Sequence, residues 1–147
     1  MNGDLIVKYL YTFLTFYTNI NILLVIFYKY TYKYIDLHLS CIIVALISFG
    51  ITYICPRQIR VEVDPTRVQV INTGTLESII IDILMHWVPL VFIFIVLPRS
   101  RNVMVIARTF AIIILYMIAT QAQDLYNFDH FLSFIFMAVA LLVRFSI

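Results

Sequence analysis

Long apolar runs, separated by short polar segments, dominate the pattern of this chain. A helix needs about 20 mostly apolar residues to cross the hydrocarbon core of a bilayer, so runs of this length predict membrane-spanning helices. Five such helices are predicted, over residues 5–28, 35–54, 76–97, 103–122 and 129–146. The last apolar run is short for a span, which predicts a helix that begins before its apolar residues or lies tilted.

The one long polar stretch lies between the second and third runs, at residues 57–75. Its apolar and polar residues alternate with a period of two, which is typical of β-strands. The stretch therefore predicts a short hairpin, with a mostly extended loop as the alternative. Thr75 or Asn72 is expected to cap the helix that follows.

Composition favours a membrane protein over a soluble one. Of the 147 residues, 63% are hydrophobic and 12% are charged, and the mean hydropathy is +1.00. Soluble domains are about 45–50% apolar. We therefore predict one integral membrane domain over residues 1–147, an all-α polytopic transmembrane helical bundle of about five spans. The net charge of +2 is small and scattered, which argues against a nucleic-acid partner.

The distribution of Lys and Arg predicts an orientation. With five spans, one side of the membrane holds Lys29, Lys33, Arg99, Arg101, Arg108 and Arg144, and the other holds Lys8, Arg57, Arg60 and Arg67. Because cytoplasmic loops carry an excess of basic residues, the richer side is predicted to be cytosolic. The N-terminus is then outside or lumenal. In a eukaryotic or viral protein, the membrane would be the endoplasmic reticulum or another internal membrane.

Two ionisable residues, Asp82 and His86, interrupt the third apolar run. A carboxylate at the centre of a membrane helix costs about 2.5 kcal/mol or more, so such residues usually face a packed interior or a wet cavity. Their spacing of four places them on one helix face, within reach of a shared hydrogen bond. The pair is either a polar clamp between helices or a carboxylate that orients a catalytic imidazole.

Polar residues are also dense in the first run, where Thr15 and Asn19 share a helix face. Thr15 and His86 each lie ten residues from the outer end of their helices, which places both about 15 Å deep. A hydroxyl beside an imidazole is the simplest activated nucleophile, with His as general base and then general acid. His38, His86 and His130 lack the spacing of metal ligands, so neither a metal nor another cofactor is predicted.

Two short motifs carry a resemblance to a known family. FLTF at Phe13–Phe16, with Met85-His86 and then Pro89 far downstream, resembles the androgen-induced membrane hydrolase family. Members of that family are multi-span proteins that cleave fatty acid esters of hydroxy fatty acids. The first stretch is also similar to related bacterial integral membrane proteins of unassigned function. The family's nucleophile is a threonine in FLTF and its partner is the histidine of the later motif, so the resemblance implies these roles for Thr15 and His86.

The sequence leaves three functions open. The first is an intramembrane lipid ester hydrolase in which Thr15 is the nucleophile and His86 the base. Asp82 or Asn19 would then orient the histidine or hold the oxyanion. The second is a non-enzymatic multi-pass protein that organises the membrane or partners, with Asp82 and His86 joining helices. The third is a small transporter or proton path, although no inverted repeat is visible. The expected partners are membrane lipids, including a lipid ester substrate.

Overall fold

The computed structural model of the protein describes residues 3–15, 17–64, 67–119 and 130–147, without the side chains at 11–15, 61–64, 130, 131 and 133. Over these ranges the chain is mostly helical, with one two-stranded sheet. The helices are α1 (Gly3–Thr15), α2 (Tyr17–Ile26), α3 (Tyr28–Thr31), α4 (Leu37–Phe49), α5 (Leu76–Asp82), α6 (Val88–Val96), α7 (Val103–Ala119) and α8 (His130–Ser146). The strands are β1 (Gln58–Asp64) and β2 (Arg67–Asn72). Two π-helical turns, Gly50–Ile54 and Ile83–Trp87, extend α4 and join α5 to α6.

The predicted hairpin is confirmed. β1 and β2 pair antiparallel, with Gln58 opposite Asn72. Gly74 follows with a φ of 90°, a left-handed conformation that glycine adopts without steric cost. Thr75 then caps α5, because its side chain accepts a hydrogen bond from the Ser78 backbone N–H at 3.3 Å.

Two of the five predicted spans are long and apolar enough to cross a membrane as described helices. They are Leu37–Ile54, which is α4 with its π-turn, and Leu76–Val96, which is α5, the second π-turn and α6. Shorter apolar helices occupy parts of the other three predicted spans, at Tyr17–Ile26, Val103–Ala119 and Phe134–Ser146. The helical fold and two candidate spans are therefore established, and the five-span arrangement stays a prediction.

Helix α4 lies at the centre of the packing, in contact with α2, α6, α7 and α8. The main apolar core joins α4 to α7 and α8 through Leu39, Ile42, Ile43, Ile106, Ile113, Met117, Met137 and Ala140. The helix Leu76–Val96 is different, because only 17% of the residues in its most apolar stretch are buried. Most of its side chains are thus left uncovered by the described residues, and by length and composition it is one of the two candidate membrane-spanning helices.

The π-turn after α4 is packed closely by α8. A Cβ atom at Gly50 would overlap the ring of Phe136. Glycine therefore lets the ring reach the backbone of this turn. The contact fixes the end of α4 close to Ser48, which reaches into the polar cluster described next.

Candidate active site

Asp82 and His86 form the hydrogen bond that their spacing predicts. The His86 Nδ1 atom lies 2.9 Å from Asp82 Oδ1. The Asp82 side chain is only 2% exposed and the His86 side chain 15% exposed. The low exposure of both side chains shows that the pair faces the interior of the described helices.

The π-turn Ile83–Trp87 brings a second donor to the same carboxylate. Trp87 Nε1 donates a hydrogen bond to Asp82 Oδ2 at 3.0 Å. In an α-helix of 3.6 residues per turn, the fifth residue along lies about 140° around the axis from the first. A π-turn pairs residue i with residue i+5 and so brings the fifth residue close to the first. The carboxylate can therefore be held by its i+4 and i+5 neighbours together.

A third donor comes from α4. The Ser48 hydroxyl, buried at 5% exposure, donates to Asp82 Oδ1. Asp82 thus accepts hydrogen bonds from Ser48, His86 and Trp87, and both of its oxygens are engaged. A buried charge costs free energy unless it is paired and hydrogen-bonded. The three donors offset this cost and so allow the Asp82 carboxylate to be buried.

The opposite side of the imidazole contacts a hydroxyl. Thr18 Oγ1, at the start of α2, lies 3.3 Å from His86 Nε2. An ionised Asp82 only accepts hydrogen bonds, so His86 Nδ1 must carry the proton that it donates. In the neutral ring, Nε2 is then an acceptor for the Thr18 hydroxyl. The result is a hydroxyl, an imidazole and a carboxylate in series.

The sequence predicts Thr15 as the hydroxyl beside His86, whereas Thr18, which the sequence does not single out, makes the contact among the described side chains. Thr15 ends α1, and its side chain lies outside the described residues, so its contact with His86 stays a prediction. Thr18 stands three residues after Thr15, a spacing that shares a face on a continuous helix and could have raised it as a second candidate. Asn19 follows Thr18 and is partly buried, and its supporting role also stays a prediction.

A separate polar cluster fixes α2 against α4. Ser40 Oγ donates to Asn21 Oδ1 at 2.6 Å, and Tyr17 OH lies 2.8 Å from Ser40 Oγ. Since the Ser40 proton is directed at Asn21, Tyr17 is the donor in the second bond. Asn21 is completely buried and also contacts Cys41 Sγ at 3.6 Å. Tyr17 and Asn21, which these bonds hold, stand on either side of Thr18 in sequence. The bonds therefore set the rotation of α2 about its axis, which directs Thr18 at His86.

An apolar groove adjoins the site through Trp87. It has a volume of about 410 Å³ and is lined by Ile83, Trp87, Val88, Val91, Phe92 and Ile95. The Trp87 indole therefore makes two kinds of contact: its N–H binds the Asp82 carboxylate, and its ring lines the groove. Phe49 packs against this ring edge to face, with 6.3 Å between centroids.

No group of three His, Cys, Asp or Glu side chains comes close enough to hold a metal ion within the part of the chain that the structure describes. Comparisons with protein-family models, with curated proteins and with solved structures found no match to this chain.

Proposed function

We propose that this protein is a multi-pass intramembrane hydrolase that cleaves lipid esters with a threonine nucleophile and His86 as its base. One observation carries the proposal: Thr18 Oγ1 lies 3.3 Å from His86 Nε2, and His86 Nδ1 lies 2.9 Å from Asp82 Oδ1. A nucleophile within reach of a base, which a third group orients, is the arrangement of covalent hydrolases. The first distance is long for a hydrogen bond, as is common in sites without substrate.

The chemistry follows from this order of groups. The threonine oxygen attacks the ester carbonyl carbon while His86 Nε2 takes the hydroxyl proton. The Asp82 carboxylate stabilises the imidazolium that forms. His86 then gives the proton to the departing alkoxide, which leaves as an alcohol, and the acyl group stays on the threonine. A water molecule, deprotonated in turn by His86, releases the acyl group as a carboxylic acid and restores the hydroxyl.

Two threonines compete for the role of nucleophile. Thr18 is supported by its contact with His86. Thr15 is supported by the resemblance of FLTF and Met85-His86 to the androgen-induced membrane hydrolase family. Asn19 remains a candidate donor to the oxyanion, because it is partly buried and stands four residues after Thr15.

The membrane setting of the proposal rests on the apolar helices. Two are long enough to span, and three shorter apolar helices occupy the other predicted spans. We propose five spans with the N-terminus outside or lumenal, in the endoplasmic reticulum or another internal membrane. The substrate class follows from this setting, because a site reached through the hydrocarbon core meets lipids, with fatty acid esters of hydroxy fatty acids as first candidates by resemblance.

A second candidate function is supported by the connections that the same polar cluster makes. Ser48 joins α4 to Asp82, and His86 joins the second π-turn to Thr18 of α2. Interhelical hydrogen bonds of this kind stabilise helix association in membranes. In this alternative the protein is a non-enzymatic multi-pass protein with a structural or partner-organising role.

Labelling with a fluorophosphonate probe distinguishes these functions. Purified wild-type protein in detergent or bilayers should be labelled and should hydrolyse a fatty acid ester of a hydroxy fatty acid. His86→Ala should abolish both, and the nucleophile is whichever of Thr15→Ala and Thr18→Ala abolishes the labelling. Thr31→Ala is the matched control, because the Thr31 hydroxyl bonds to the Leu24 carbonyl at 2.8 Å and not to the site.

Two experimental outcomes would contradict the hydrolase proposal. If wild-type protein is neither labelled nor active, and His86→Ala and Thr18→Ala only lower the unfolding temperature, the structural function replaces the hydrolase. If labelling survives in both threonine variants, the nucleophile assignment is wrong.

A further inference from the structure

We infer that Ser48 and Trp87 are positioning residues of the site, which hold the Asp82 carboxylate in the one orientation that directs His86 Nε2 at Thr18. This inference rests on the proposed function for its kinetic consequences. Its structural part concerns only the hydrogen bonds to Asp82.

The need for positioning follows from the freedom of an aspartate side chain. A single hydrogen bond from His86 restrains one carboxylate oxygen, but the two side chains can still turn together through their torsion angles while they keep this bond. Two further donors on different oxygens remove this freedom. Ser48 binds Oδ1, the oxygen that also binds His86, and Trp87 binds Oδ2 at 3.0 Å.

The two donors are themselves held by the fold. Ser48 lies in the buried part of α4 just before Gly50, where the Phe136 ring packs. Trp87 is placed by the π-turn and by the edge-to-face contact of its ring with Phe49. The carboxylate is therefore positioned by the helix that carries it and by a neighbouring span, which is how preorganised sites hold their catalytic groups.

The chain offers a spectroscopic test of this arrangement, because Trp87 is its single tryptophan. A ¹⁵N-labelled sample should show one indole N–H signal. Because this proton is hydrogen-bonded to a carboxylate, it should exchange slowly with water and resonate at low field in the wild type. Asp82→Asn weakens the acceptor at Oδ2, so the indole signal should move. A signal that is unchanged by Asp82→Asn would overturn the assignment of Trp87.

The hydroxyl of Ser48 is isolated by comparing Ser48→Thr with Ser48→Val. Threonine and valine add the same bulk, and only threonine keeps a donor for Asp82. We expect kcat to be lower in Ser48→Val than in Ser48→Thr by about tenfold to a hundredfold, since a misplacement of about 1 Å costs this much. KM should be similar in Ser48→Thr and Ser48→Val, because the two side chains have the same size and position 48 acts on the site through Asp82. Trp87→Phe, which removes the N–H and keeps an aromatic ring, should lower kcat in the same way.

The outcomes separate this inference from the proposed function. Equal kcat values in Ser48→Thr and Ser48→Val would overturn the positioning role of Ser48. If the wild-type protein has no hydrolase activity, the proposed function fails, and positioning is then judged from the His86 Nδ1–H signal. Its retention in Ser48→Thr and loss in Ser48→Val would support positioning, and its retention in both would overturn it.

Discussion

Asp36 and Arg144, which lie 108 residues apart in sequence, form a buried two-pronged ion pair. Arg144 Nε donates to Asp36 Oδ1 at 3.0 Å, and Nη2 donates to Oδ2 at 2.9 Å. Asp36 also caps α4 by accepting from the Leu39 backbone N–H at 2.8 Å, while Arg144 donates to the Ser100 carbonyl at 2.6 Å. The pair thus ties the start of the central helix to the end of α8 and to the turn before α7.

Removing the guanidinium should strongly destabilise the protein. In Arg144→Leu the buried carboxylate loses its partner, and breaking a buried pair in this way costs about 3–5 kcal/mol. The free energy of unfolding in detergent measures this loss. Asp36→Asn removes the carboxylate charge and keeps an acceptor for the α4 cap. Because both substitutions break the same ion pair, the double variant with Arg144→Leu should lose less unfolding free energy than the sum of the two single losses.

Arg108→Leu is the matched control for that prediction. Arg108 is exposed and donates to the Tyr34 carbonyl at 3.0 Å, so its loss should cost clearly less than that of Arg144. Equal losses for the two arginines would contradict the structural role of the Asp36–Arg144 pair.

Local periodicity accounts for the parts of the structure that the sequence predicts. The alternation with period two in residues 57–75 predicts the hairpin, and the spacing of Asp82 and His86 predicts their hydrogen bond. Thr75 is found at the cap position that its residue type favours. Each of these features depends on neighbours within a few residues, which is the range over which a sequence pattern carries geometric information.

The remaining features depend on geometry that the pattern does not contain. Trp87 reaches Asp82 because a π-turn replaces an α-turn, whereas the apolar pattern predicts a regular helix. Ser48 and Thr18 reach the site through the rotation of α4 and α2 about their axes. Periodicity leaves this rotation undetermined. The depth estimate therefore favoured Thr15, which lies as many residues into its helix as His86 does, and it could not show that Thr18 faces the histidine.

Replacing Gly50 should destabilise the contact between α4 and α8. In Gly50→Ala the new methyl group meets the Phe136 ring, and overpacking of this kind costs about 1–3 kcal/mol. Thermal unfolding in detergent measures the effect, and Gly50→Ala combined with Phe136→Leu should recover part of it. Gly3→Ala is the matched control, since a Cβ there has no neighbour within 4 Å. A Gly50→Ala variant as stable as Gly3→Ala would contradict the packing.

The proposed topology predicts that the two chain ends lie on opposite sides of the membrane. Five spans place the N-terminus outside or lumenal and the C-terminus in the cytosol, on the side with six of the ten Lys and Arg residues. The side on which each end lies can be measured with a tag at each end, tested for protection from protease in sealed vesicles. Protection of both tags on the same side would mean an even number of spans.

The hydrolase proposal makes a quantitative prediction about combined variants. Thr18 and His86 act as one unit if the hydroxyl reacts only when the imidazole removes its proton. Thr18→Ala and His86→Ala should then each reduce kcat/KM for a lipid ester by several orders of magnitude, and the double variant should be no slower than either. If the two residues acted independently, the fold reductions in kcat/KM of the two single variants would multiply in the double variant. The same comparison of single and double variants, made with Thr15→Ala and His86→Ala, tests the alternative nucleophile. Only the threonine that gives its proton to His86 should show this complete lack of additivity.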